Sequence, residues 1–305
     1  MDNWFFIVGC QRSGTTLAKL ILECHSRICC FDEVLAYGLL AAHRVETPAG
    51  KTRIGFKIPR WTEQLADERL QDEGLPEVAA CFYTGQPIIF VLRDVRDTAV
   101  SMLKFRLGDQ SWLETWGQRV LEWKITQDST FRERYQPELK LRAQAQHPLA
   151  ATGALYWKYK TAAFFEYRSR RWPVLGLPYR WLVSNPLPVL RKVCQFLRVP
   201  WESALLNHPA CPHGELREHG LAVGGSDPSR RIDTGSLDQW RTYLSPDQVG
   251  EILEIAGDLQ QRIDELYPPE GATAACWDRL LECFPQVDSA TSPPARISES
   301  KDTSS

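Results

Sequence analysis

Apolar residues fall into two kinds of run along the chain. Short unbroken stretches at 4–9, 53–58, 87–92 and 174–183 have the length and composition of strands buried on both faces. Between them the apolar positions recur at helical spacing. Leu17, Leu20, Ile21 and Cys24 follow i, i+3, i+4, i+7 and predict a first helix. Further helices are predicted at 95–107 (Ala99, Val100 and Leu103 inward), through the Trp-rich stretch 109–130, at 148–172, and at 186–198 after Asn185 with Pro186 at its first position. The last begins Ser245-Pro246-Asp247-Gln248, a capping box with proline at N1, and its expected buried stripe is Val249, Ile252, Leu253, Ala256, Leu259 and Ile263. Strands alternating with helices imply an α/β fold: a parallel sheet of four or five strands with helices on both faces. Residues 285–305 are polar and proline-containing, unable to bury enough apolar surface to order, so the fold is assigned to 1–284 and a disordered C-terminal tail to 285–305.

Composition narrows the function. The 305 residues carry 36 Lys and Arg against 38 Asp and Glu, a net charge of -2, which argues against a protein that coats nucleic acid and leaves room for a local basic pocket. The amino terminus lacks the basic and apolar regions of a secretory signal. No stretch approaches the roughly 18 apolar residues of a membrane span. The expectation is a cytoplasmic protein without a transmembrane segment. The nine cysteines show neither zinc-site nor disulfide-framework spacing, so free thiols and no metal are expected.

Candidate chemistry begins where the first strand ends. Gly9-Cys10-Gln11-Arg12-Ser13-Gly14-Thr15-Thr16 leads from strand to helix. A glycine-bounded loop feeding a helix N-terminus points backbone N–H groups and the positive end of the helix dipole at one place, which suits an anion. The Gly-x4-Gly spacing is P-loop-like, but Thr15 stands where a nucleotide triphosphatase has lysine, and the cation sits inside the loop as Arg12. The plainer alternative is a tight turn with an incidental arginine. A second anchor follows the strand 87–92. Arg93 leaves its carboxyl end, where open α/β sheets bind ligands, and Ser101 lies two turns into the next helix, able to converge on the same anion. Asp94, Arg96 and Asp97 read as a surface ion-pair cluster, with Asp97 or Thr98 capping that helix.

Two anion anchors for one nucleotide resemble the sulfotransferases that use 3′-phosphoadenosine 5′-phosphosulfate (PAPS). Gln11–Thr16 resembles that family's 5′-phosphosulfate loop, and Arg93 with Ser101 resembles its 3′-phosphate motif. Leu177–Pro186 is similar to the family segment before a helix, with Arg180 replacing the usual glutamate, so that Tyr179 alone carries over as a nucleotide contact. Arg231–Arg241 resembles the late loop that closes over the nucleotide. The resemblance implies PAPS as co-substrate, no metal, and a nucleotide site of Arg12, Ser13, Gly14, Thr15, Thr16, Arg93, Ser101, Tyr179, Arg230 and Arg231. It also implies that Lys57, in Lys57-Ile58-Pro59, faces the sulfuryl group beside Arg12, as in the tyrosylprotein branch.

The resemblance further implies the base for the acceptor proton: Phe31-Asp32-Glu33 follows the first helix where the tyrosylprotein branch carries Glu-Glu, and the second position of that pair is Glu33, with Asp32 as alternate because a one-residue slip reverses facing. His25, His43 and His147 rank lower, and the plainer role for Glu33 is a helix-start acid. Trp112, Trp116 and Trp123 fall near one helical face; core packing is the default, an aromatic wall for a planar or sugar acceptor the alternative. Arg119, Arg132, Arg134 and Arg142 read as a solvated face that an anionic acceptor would use. The acceptor class stays open among small molecule, carbohydrate, lipid and peptide tyrosine. A P-loop kinase with Thr16 on magnesium and a non-catalytic nucleotide-binding module are the competing functions.

Overall fold

Five parallel strands form the central sheet: β1 (Trp4–Gly9), β2 (Ile28–Phe31), β3 (Arg53–Lys57), β4 (Ile88–Leu92) and β5 (Val174–Pro178), in the order β2-β3-β1-β4-β5. They come from a computed structural model in which residues 3–42, 45–63, 85–213 and 227–270 are described. β1, β4 and β5 are buried at every position, which is why they read as unbroken apolar runs. From β1 the chain first adds strands on one side and then, with β4, on the other. The loops after β1 and β4 therefore open into the crevice where α/β sheets take ligands.

The flanking helices are α1 (Thr15–Leu22), α2 (Glu33–Ala41), α3 (Val95–Lys104), α4 (Gln118–Gln127), α5 (Ser129–Arg134), α6 (Gln136–Gln144), α7 (Pro148–Ser169), α8 (Tyr179–Ser184), α9 (Pro186–Phe196), α10 (Trp240–Tyr243) and α11 (Pro246–Leu266). α7 is buried along most of its length and sets Phe164 and Tyr167 edge-on against Phe90 of β4, at 5.3 and 5.9 Å between ring centroids. The capping box at Ser245 and Gln248 forms as the sequence predicts.

Several elements differ from the sequence expectation, each for a local reason. The run 174–183 splits at Pro178, which has no N–H for the ladder and is followed by α8. β2 is a four-residue edge strand with alternating burial, too short to stand out as a run. The stretch 109–130 does not begin as a helix. A small hairpin pairs Arg106–Leu107 with Gln110–Ser111, a π-helical turn follows at Leu113–Gly117, and only then α4. In α11 the buried face is Ile252, Ile255, Ala256, Leu259, Gln260 and Ile263, rotated so that Leu253 is 37% exposed.

The expectation of free thiols fails at Cys24 and Cys211, which are joined by a disulfide across 187 residues with their Cα atoms 5.7 Å apart. At that separation, sequence spacing carries no signal. Cys10, Cys29, Cys30 and Cys194 form no disulfide. Cys81, Cys276, Cys283, His43 and the tail 285–305 lie outside the described residues. No helix among the described residues is long and apolar enough to cross a membrane.

Candidate functional site

The loop between β1 and α1 is tightly drawn. The Ser13 N–H donates to the Cys10 carbonyl at 3.0 Å. The Thr62 hydroxyl brackets Gly9, accepting from its N–H at 3.0 Å and donating to its carbonyl at 2.9 Å. Gly14 caps α1 at φ 108, and a Cβ there would lie 2.4 Å from Cδ2 of Tyr179. Only glycine accommodates both that backbone and that ring. Arg12 is also left-handed, at φ 71, a costly conformation for a side-chain-bearing residue and one that recurs at binding sites.

Two guanidinium groups meet at this loop. Arg93 donates through Nη1 to the Arg12 carbonyl at 3.0 Å and through Nη2 to the Ser236 carbonyl at 2.7 Å, with its Cζ 4.5 Å from the Tyr179 ring centroid. Arg12 donates through Nε to Ser101 Oγ at 3.3 Å and lies 4.2 Å over the Phe105 ring. Burial first, and the Arg93 charge second, pull the Arg12 guanidinium down to about 10. Gln11 Oε1, Ser13 Oγ and Arg93 Nε are buried with no hydrogen-bond partner. Two close positive charges ringed by unused polar atoms fit a bound anion. The structure thus brings together Arg12, Ser13, Gly14, Arg93, Ser101 and Tyr179.

A late loop straps over Arg93. Tyr179 Oη and Ser236 Oγ are 2.6 Å apart. Arg180 forks onto Asp238 at 3.1 and 2.9 Å. Asp97, expected on the surface, is instead buried and accepts from the Asp238 N–H at 2.9 Å and the Trp240 N–H at 3.4 Å; burial holds its carboxyl above the usual range. The α3 cap is Asp94, which also pairs with Arg96, rather than Asp97 or Thr98. Asp97 and Asp238 are positioning residues that the sequence reading missed. The available signal was Arg180: a cation at a position the family fills with an acid needs an acid elsewhere. Arg230 is engaged with Asp233 at 2.8 and 2.6 Å, and Arg231 is exposed.

A second polar group lies at the carboxyl end of β3, next to the exit of β1. Lys57 is buried, with Nζ 2.7 Å from Asp32 Oδ1 and 3.8 Å from Glu33 Oε2. Asp32 caps α2 through the Glu33 N–H at 2.6 Å. Glu33 occupies the first turn, where Oε1 accepts from the Tyr37 hydroxyl at 3.2 Å and lies 3.6 Å from Arg60 Nε. Lys57, Asp32 and Glu33 are therefore gathered. His25, on the Pro200 carbonyl at 2.7 Å, and His147, beside Glu251 at 3.4 Å, have partners of their own. Trp112 packs edge-on against Tyr156, whereas Trp116 and Trp123 are 51% and 47% exposed, so core packing does not account for the Trp cluster. Among the described residues, no group of three or more His, Cys, Asp or Glu could hold a metal ion.

The comparisons agree with this architecture. A model described as "Sulfotransferase family" matches residues 5–87, a span that contains the loop, Asp32, Glu33 and Lys57. The solved sulfotransferase domain from the curacin biosynthetic pathway shares the fold with a TM-score of 0.53 at 16% identity, covering 85% of this chain and 98% of that one. Mouse sulfotransferase SULT7A1 complexed with PAP shares it at 0.50 and 17% identity, covering 87% and 89%. No curated protein matches the sequence. The chain is thus similar to the sulfotransferases in sequence over residues 5–87 and in its fold.

Proposed function

We propose that residues 1–284 form one catalytic domain that transfers a sulfuryl group from PAPS to the hydroxyl of an acceptor. The observation that carries this reading is the Arg12–Arg93 pair, two half-buried cations at one loop with orphaned polar atoms around them. Arg12, Ser13, Thr15 and Thr16 with the loop amides would hold the 5′-phosphosulfate. Arg93 and Ser101, with Arg230 and Arg231 from the late loop, would hold the 3′-phosphate, and Tyr179 would line the nucleoside. The mouse sulfotransferase carries PAP, which is the donor's product, and that supports the assignment by analogy.

In this mechanism Glu33 takes the acceptor proton, the acceptor oxygen forms the new S–O bond, and the S–O bond to the 5′-phosphate breaks with its electron pair on the phosphate. Arg12 and Lys57 offset the charge that develops on the departing phosphate and the transferring group, so most of the acceleration is electrostatic and positional. Asp32 holds the Lys57 ammonium at the end of β3. The kinase alternative needs an acidic metal ligand after β4, but Asp94 there is committed to the α3 cap and to Arg96.

A thermal-shift and calorimetry panel tests the reading. 3′,5′-ADP without magnesium should stabilise the protein by roughly 2.7 kcal/mol at 100 times its Kd. A preference for ATP with magnesium would overturn it.

A further inference from the structure

Beside Glu33 lies an aromatic shelf flanked by two exposed cations. Arg60 connects them: its Nε is 3.6 Å from Glu33 Oε1, and its Cζ lies 5.9 Å from the ring centroids of both Tyr37 and Trp116. Arg119, also exposed, places its Cζ 6.0 Å from Trp116. The Arg60 side chain is 60% exposed and Trp116 is 51% exposed.

The indole is held there by built structure. It rides the π-helical turn Leu113–Gly117, whose Thr115 hydroxyl engages the Ser111 and Trp112 carbonyls and whose Leu113 is buried. Such turns recur at functional sites. The preceding hairpin returns the chain so that the Trp112 N–H meets the Phe105 carbonyl at 2.7 Å, and Phe105 is the ring under Arg12. The shelf thus adjoins the anion loop on one side and Glu33 on the other.

We propose that Trp116, Arg60 and Arg119 form the acceptor platform, and that the acceptor is a phenol bearing a carboxylate. This rests on the sulfuryl-transfer reading above. The phenyl ring stacks on Trp116, the carboxylate meets the two guanidinium groups, and the hydroxyl reaches Glu33. An exposed indole beside the base offers a stacking surface for a planar ring, and an aromatic ring that carries the acceptor hydroxyl is a phenol. In the transfer, the phenolic proton passes to Glu33, the phenolic oxygen bonds to sulfur, and the bridging S–O electrons remain on the 5′-phosphate.

The test needs no turnover. 4-Hydroxyphenylacetate and its methyl ester are titrated into protein saturated with 3′,5′-ADP, followed by tryptophan fluorescence and calorimetry. The carboxylate should bind about tenfold more tightly than the ester, as charge-assisted hydrogen bonds allow. Arg60→Ala and Arg119→Ala should each erode that preference, and Trp116→Ala should weaken both ligands. These are surface exchanges, so folding is retained. Equal affinity for the two ligands, or no binding of either while 3′,5′-ADP binds, overturns the platform and leaves the donor reading standing. Failure of 3′,5′-ADP itself to bind overturns both.

Discussion

Arg93 reaches across from the end of β4 and donates through Nη1 to the carbonyl oxygen of Arg12 at 3.0 Å. One guanidinium therefore shapes the loop and, in the proposed function, reads the 3′-phosphate. Arg93→Ala should raise the calorimetric Kd for 3′,5′-ADP by about 10- to 100-fold, the range for a lost hydrogen bond to a charged group. Arg93→Lys keeps the charge and loses the planar fork, so it should recover only part of the affinity. Binding of 5′-AMP, which lacks the 3′-phosphate, should change less. Equal losses for both nucleotides would show that Arg93 supports the loop without reading that phosphate.

Glu33 and Asp32 are adjacent acids with separable roles. Glu33→Gln should lower kcat by at least about 100-fold, the scale of general-base catalysis, with 3′,5′-ADP affinity retained. Asp32→Asn should act on stability instead, because it removes the charge that offsets the buried Lys57 ammonium 2.7 Å away. Removing one member of a buried pair costs about 3–5 kcal/mol. Denaturant melts and single-turnover rates on the same proteins separate the two. Full turnover in Glu33→Gln would place the base elsewhere.

Glu63 links pH to the loop. It follows Thr62, which brackets Gly9, and it pairs with Lys160, which also donates to the Arg60 carbonyl at 2.6 Å, and with Lys124 at 3.4 Å. Burial alone would raise its carboxyl, but the two lysines outweigh that and hold it below the ordinary range. A depressed carboxylate contributes stability that is fully present above its unfolded value, about 4.3, and is lost as pH falls through the folded value. Wild-type Tm should therefore drop below about pH 4. Glu63→Gln should start lower at pH 7, because Lys160 loses its counter-charge, and should show a shallower acid limb. An unchanged acid slope in the variant would exclude this pair as a source of acid lability.

The legible parts of the molecule were those governed by local pattern. β1 and β4 are buried on both faces and announce themselves as apolar runs, and the Ser245 capping box is a contiguous signature. Gly9, Arg12 and Gly14 sit within six residues, so their loop could be read at once. Asp97 could not: its partners are backbone N–H groups more than 140 residues away, and main-chain donors have no sequence identity. Trp116 misled for a related reason, since a π turn breaks the 3.6-residue period that a helical-face argument assumes. The register of α11 slipped because Leu253 and Ile255 are equally apolar, and packing against neighbouring helices decides which turns inward.

The Cys24–Cys211 disulfide ties the chain just past α1 to the end of the short 3₁₀ segment Ser203–Ala210. Closing so long a loop restricts the unfolded chain, and bonds of this kind contribute about 2–4 kcal/mol. Reductant should then lower the calorimetric Tm by on the order of 5–10 °C. The Cys24→Ser/Cys211→Ser protein should melt where reduced wild type melts and ignore reductant. Because Cys24 lies past the end of α1 opposite Gly14, the bond should leave the anion loop's geometry intact. Affinity for 3′,5′-ADP at 25 °C should therefore stay within about twofold, well under the tenfold that corresponds to 1.4 kcal/mol. A Tm indifferent to reductant would mean that the two thiols are unlinked in solution. A Kd that rose in step with the loss of Tm would mean instead that this bond holds α1, and with it the loop, in its binding form.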